Sequence, residues 1–78
     1  MISDRLKGVI LRALDLEEYD LRDDSRASEV PGWDSLSHVK VILEVEREYR
    51  IRLATRDLIR LKNVGDLQAL VDKKVDVV

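Results

Sequence analysis

Apolar residues at the start of the chain recur at helical spacing. Ile2, Leu6, Val9, Ile10, Ala13 and Leu14 fall at i, i+4, i+7, i+8, i+11 and i+12, one stripe of a helix. Ser3 is placed to cap its start, and Asp4 suits the positive end of the helix dipole. The spacing predicts a first helix over about 3–16. Residues 17–34 follow no such period. Glu17-Glu18-Tyr19-Asp20 and Asp23-Asp24-Ser25 are polar and turn-prone, and Pro31-Gly32 is a strong breaker pair. The segment reads as a long loop, pinned to the core by Leu21, Ala27 and Val30. Loops of this length are uncommon in small domains unless they serve a function.

After Pro31-Gly32 the helical period returns. Leu36, Val39, Ile42, Leu43 and Tyr49 lie on one stripe, flanked by Val45, and Glu44, Glu46, Arg47 and Glu48 supply a polar side. Asp34 or Ser35 is the expected N-cap of a second helix over about 35–49. Arg50-Ile51-Arg52-Leu53 alternates as a short extended link does. Thr55 is placed to cap a brief helical turn through Ile59. Asn63 is placed to cap a last helix, with Asp66 set three residues on, close to a capping box. Val64, Leu67, Leu70 and Val71 form that helix's apolar stripe, and the tail Asp76-Val77-Val78 is expected to fray. The fold class is all-α: three longer helices and one short one around an aliphatic core, with a long loop between the first two helices.

Length and charge narrow the functions. At 78 residues the chain makes one domain. A chain of this size buries only about 60% of its unfolded surface, so the core is thin. There is no cysteine, so the chain itself brings no disulfide and no thiol. No apolar run is long enough to span a membrane, and Met1-Ile2-Ser3-Asp4-Arg5 lacks the apolar stretch of a signal peptide, which points to a cytoplasmic protein. Net charge is −2 but unevenly spread. Residues 1–34 carry nine acids against five bases, whereas residues 35–62 carry four acids against seven bases. The basic segment comes without an aromatic platform, so nucleic-acid binding is not expected. Asp20, Asp23 and Asp24 lack the spacing and closing glutamate of an EF-hand, so no metal site is expected.

The informative segment is Pro31-Gly32-Trp33-Asp34-Ser35-Leu36. It sets a serine between a turn and the first turn of an amphipathic helix. A phosphate on that hydroxyl would meet free backbone N–H groups and the positive end of the dipole, worth about 0.3–1 kcal/mol at an exposed site. If Asp34 is the N-cap, Trp33 and His38 occupy the positions of a hydrophobic staple, which would steady the base of whatever Ser35 carries.

Asp34-Ser35-Leu36 resembles the modification site of acyl carrier proteins. The likeness runs through nearly the whole chain: the opening amphipathic helix, the acidic loop, Leu43-Glu44-Val45-Glu46-Arg47-Glu48-Tyr49, Ile51-Arg52-Leu53, and Asn63-Val64-Gly65-Asp66-Leu67. The resemblance implies a four-helix bundle of the acyl carrier type. It implies 4'-phosphopantetheine, moved from coenzyme A onto Ser35 by a phosphopantetheinyl transferase. The arm's thiol would hold an acyl cargo as a thioester and present it to acyl-loading and acyl-processing enzymes. Such a protein is a carrier and not an enzyme, and is expected to be monomeric and not inserted in a membrane.

By the same resemblance, Asp34 helps engage the transferase and its divalent metal. Leu36 and Val39 match exposed apolar positions that touch partners, and Glu46 and Glu48 match acidic ones. Members of the family usually make this helix strongly acidic. The sequence departs from that with Ser37, His38, Lys40, Arg47 and Arg50, which suggests a carrier for a restricted set of partners in a specialised pathway. Two other readings compete. His38 lies three residues after Ser35, but no Gly-x-Ser-x-Gly elbow surrounds them, which argues against a hydrolytic serine. A helical interaction module without a prosthetic group would fit the amphipathic helices, but it has no need of Asp34-Ser35-Leu36.

Overall fold

A computed structural model describes residues 2–76; Val77 and Val78, part of the tail expected to fray, lie outside the described residues. The elements follow in the order α1 (Asp4–Ala13), a short 3-10 turn (Ala27–Glu29), α2 (Ser35–Tyr49), α3 (Thr55–Ile59) and α4 (Val64–Asp76). The four helices and the absence of strands among the described residues match the all-α reading.

α1 forms because its apolar stripe and its caps agree. Ser3 Oγ accepts the Leu6 amide, and Leu6, Val9, Ile10 and Ala13 are buried. The helix ends at Ala13, three residues earlier than the spacing predicts. Asp15 there takes a left-handed φ of 58°, and the amides of Asp15 and Leu16 turn back to Arg12 and Leu11. This is a Schellman closure, built on an aspartate that tolerates the left-handed region.

α2 has the predicted bounds but a different buried face. Val41, Ile42 and Val45 are buried against α1, whereas Leu36, Val39 and Leu43 are exposed. The stripe Leu36, Val39, Ile42, Leu43, Tyr49 is therefore not the core stripe. Apolar residues occur on both sides of α2, so periodicity alone leaves its rotation open. Leu36 and Val45 are nine residues apart, which at about 100° per residue sets them on opposite sides. The side that meets α1 is the side that buries.

The long loop is tied down rather than loose. Pro31-Gly32 sits in a turn closed by the Trp33 amide on the Val30 carbonyl, with Gly32 at φ 81°, as a type II turn requires. Leu21 and Val30 are buried as expected, and Ala27 is half-buried. Loop carbonyls also complete the start of α4. Ser25 and Asp23 accept the amides of Val64 and Gly65 at 2.8 and 2.7 Å, and Asn63 Oδ1 accepts that of Asp66. A Cβ on Gly65 would stand 2.8 Å from the Asp23 carbonyl oxygen, so this contact needs glycine. Asp66 reaches back to the Lys62 amide, one residue before the position a capping box uses. Gln68, buried on α4, accepts the Ser3 amide and so joins the starts of α1 and α4.

α3 departs from expectation in its cap. Ala54 is its N-cap, without a side-chain bond, and Thr55 is already helical. Leu53 enters the core with its amide on Glu46, which brings the chain into the helix one residue early.

Candidate functional site

Ser35 is the first residue of α2 and is exposed. Asp34, extended at φ −108° and ψ −169°, is the N-cap, and its Oδ1 accepts the Ser37 amide at 2.9 Å. That bond holds the Asp34 carboxyl below its usual range, at the residue before the serine.

The serine's base is held from the loop side. Trp33 Nε1 donates to His38 Nδ1 at 3.1 Å, and the two rings lie 27° from parallel with centroids 6.2 Å apart. The residue before the N-cap thus packs on the fourth helical residue, the staple that the sequence suggested. The bond engages Nδ1 of the imidazole with Trp33. The assignment of Nδ1 as acceptor follows from this network.

Ala27, Ser28, Trp33 and His38 line an open groove beside Asp34 and Ser35. Behind the Trp33–His38 pair lies a small apolar cavity of about 60 Å³, walled also by Leu61, Val64 and Leu67. A phosphodiester on Ser35 would leave the helix at its positive end with open space along this groove. The residues present fit an arm attached through a phosphate.

The remaining expected site residues divide. Leu36 and Val39, 85% and 57% exposed, follow Ser35 on the outer side of α2, joined there by Leu43. Glu48 does not join them: it bonds Arg5 at 3.0 Å and Arg12 at 3.5 Å on α1. Glu46 is half-buried, and its carboxylate accepts the Leu53 amide at 2.9 Å. Leu43, expected within the apolar stripe of the core, lies exposed on the outer side of α2. Its spacing of i+7 from Leu36 and i+4 from Val39 was the signal that it shares their face. Among the described residues no group of three His, Asp or Glu side chains is placed to hold a metal.

The family model for the phosphopantetheine attachment site matches residues 4–71. The chain belongs to the acyl carrier protein family. The carrier is 26% identical over 74 residues to the acyl carrier protein of Thermotoga maritima, covering 95% of this chain and 91% of that one. It is 30% identical to that of Chloroherpeton thalassium, with 95% and 99% covered. A solution structure of holo acyl carrier protein from Geobacter metallireducens superposes with a TM-score of 0.88 at 40% identity, covering 94% of this chain and 84% of that one. The carrier's prosthetic group is therefore a covalently attached phosphopantetheine. Members of the family act as carriers served by a phosphopantetheinyl transferase and by acyl-handling enzymes. Among the described residues no helix is long and apolar enough to cross a membrane.

Proposed function

We propose that Ser35 Oγ is the attachment point of the phosphopantetheine arm. The observation that carries this is an exposed serine at the first position of α2, between the Asp34 N-cap and the Trp33–His38 pair. In the loading step the Ser35 oxygen bonds to the phosphorus of coenzyme A nearest the pantetheine, the adenosine bisphosphate portion leaves, and the hydroxyl proton passes to solvent or the transferase. Once attached, the arm supplies a thiol that holds an acyl group as a thioester. The chain's own residues position it: the Asp34 cap fixes the start of α2, and the Trp33–His38 bond holds the loop against the attachment point.

The chain performs no catalysis of its own in this reading. It presents cargo from the cytoplasm as a single copy to enzymes that load, modify and release it, and it serves a restricted set of them in a specialised pathway. Asp34, Leu36 and Val39 are the residues those enzymes would touch first, being nearest to Ser35 on the outer side of the molecule.

The test is direct. Purified protein is incubated with coenzyme A, magnesium and a broad-specificity phosphopantetheinyl transferase, then weighed. The expected result is a gain of about 340 Da, the mass of the covalent arm, that disappears completely in Ser35→Ala. A gain that persists in Ser35→Ala moves the site elsewhere, and no gain with several transferases overturns the reading.

A further inference from the structure

The segment that contains Ser35 has four acids and seven bases, and the structure treats the two signs differently. All four acids are half-buried, and three of them are engaged within the chain. Glu46 holds the Leu53 amide, Glu48 bonds Arg5 and Arg12, and Asp57 pairs with Lys74, while Glu44 touches only Arg47. Of the bases, Lys40, Arg50, Arg52, Arg56, Arg60 and Lys62 are exposed and have no ion pair among the described residues. The seventh, Arg47, has its side chain 80% exposed and touches Glu44 only at 3.5 Å, a contact of the kind worth little in water. What a visitor meets is therefore much more positive than the composition suggests, although the whole chain is negative.

These bases are interleaved with the exposed apolar residues. Lys40, Leu43 and Arg47 lie four, seven and eleven residues after Leu36, which sets all four on one face of α2. An apolar centre with a charged surround is the anatomy of a protein-docking surface. The face begins at Ser35, so any enzyme that reaches the attachment point comes against it.

Resting on the carrier reading above, we infer that the outer face of α2 docks enzymes whose contact surface is acidic: carboxylates opposite Lys40 and Arg47, around an apolar pocket that takes Leu36 and Leu43. Charge complementarity decides the partner's sign. A nucleic acid is the poorer match, because the face has no aromatic side chain to stack on a base.

The experiment takes, from a panel of transferases, the one that loads the wild-type protein with the highest kcat/KM. Loading by any transferase tests the carrier reading, and the charge variants then test the face separately. Lys40→Glu combined with Arg47→Glu is expected to lower kcat/KM by about tenfold at low salt, with a smaller deficit at high salt. Lys7→Glu with Lys73→Glu, which changes net charge equally on α1 and α4, is expected to leave it nearly unchanged. Circular dichroism checks that each variant is folded, and Lys40→Gln with Arg47→Gln serves if the reversal is not. An unchanged or raised kcat/KM in the α2 variants overturns the inference while leaving the carrier reading intact. Binding of the wild type to vesicles of equal phosphatidylcholine and phosphatidylglycerol, or to a single-stranded RNA oligonucleotide, that vanishes in Lys40→Glu with Arg47→Glu would also overturn it, by giving the face to another partner.

Discussion

The inner side of α2 carries Val41, Ile42 and Val45, and the outer side carries Leu36, Val39 and Leu43. All six are branched aliphatic residues, yet the first three are buried and the second three are exposed. The charged residues divide in the same way. Glu48, at the edge of the inner side, is bonded to two arginines of α1, whereas Lys40 on the outer side has no ion-pair partner among the described residues. One helix thus does two jobs. Its inner side closes the bundle through residues far away in sequence. Its outer side leaves basic groups beside Ser35 in water, together with apolar groups whose exposure is unfavourable until a partner covers them. Stability and recognition are separated by rotation about a single axis, which makes each testable without the other.

The sharpest test places the same charge on both sides. Val45→Asp sets a carboxylate where the side chain has no exposure to water. The loss should exceed the roughly 3–5 kcal/mol that a core of this size supplies, leaving the chain unfolded by circular dichroism. Leu43→Asp, two residues away but exposed, should leave the helical spectrum intact and instead weaken enzyme docking. A folded Val45→Asp protein, or an unfolded Leu43→Asp one, would show that the two sides are not distinct.

A smaller effect is expected at the junction of the loop with α4, which belongs to the closed side of the molecule. The Gly65 amide bonds the Asp23 carbonyl at 2.7 Å, and an added Cβ would meet that same oxygen at 2.8 Å. That oxygen belongs to the backbone, so it cannot swing away as a side-chain tip can. Gly65→Ala should cost about 1–3 kcal/mol in urea denaturation. Stability equal to the wild type would mean that the loop yields freely and is not part of the closed side.

Much of this was legible in the sequence, where the signal was local. The bounds of α2, the Ser3 and Asn63 caps, the Pro31-Gly32 turn and the pairing of Trp33 with His38 all rest on residues within a few positions of one another. The attachment segment was legible for the same reason. What periodicity could not give was the rotation of α2, because apolar residues lie on both of its sides and the choice is made by α1. The engagement of Glu48 was equally hidden, since its partner Arg5 lies 43 residues away. Glu46, expected on the polar side of α2, is half-buried because the chain folds back at Arg50, with φ at 55°, and returns the Leu53 amide to it. The net charge of the segment understates the basic face for this reason: Glu46, Glu48 and Asp57 are engaged within the chain.

The smallest effect expected concerns the polar edge between the two sides. The Arg5 side chain bonds the Glu48 carboxylate and backbone carbonyl and also lies 4.4 Å above the Tyr49 ring, so Glu48 holds in place a cation that covers the α1–α2 seam. Hydrogen bonding from Arg5, more than any other cause, holds the Glu48 carboxyl below its ordinary 4.5. A carboxyl whose folded value is depressed contributes stability that is complete above the ordinary value and is lost as pH falls through the folded one. Glu48→Gln should therefore melt slightly below the wild type at neutral pH, and the gap should narrow with acidification until the two curves meet. Added salt should narrow it too, because the arginines are largely exposed. Lys40→Gln, on the outer side, should track the wild type across the same acid range, since Lys40 has no ion pair with a carboxylate among the described residues. Were the Glu48→Gln gap to stay constant with pH, the side chain's contribution would be packing rather than charge. The edge between the two sides would then be drawn by shape alone.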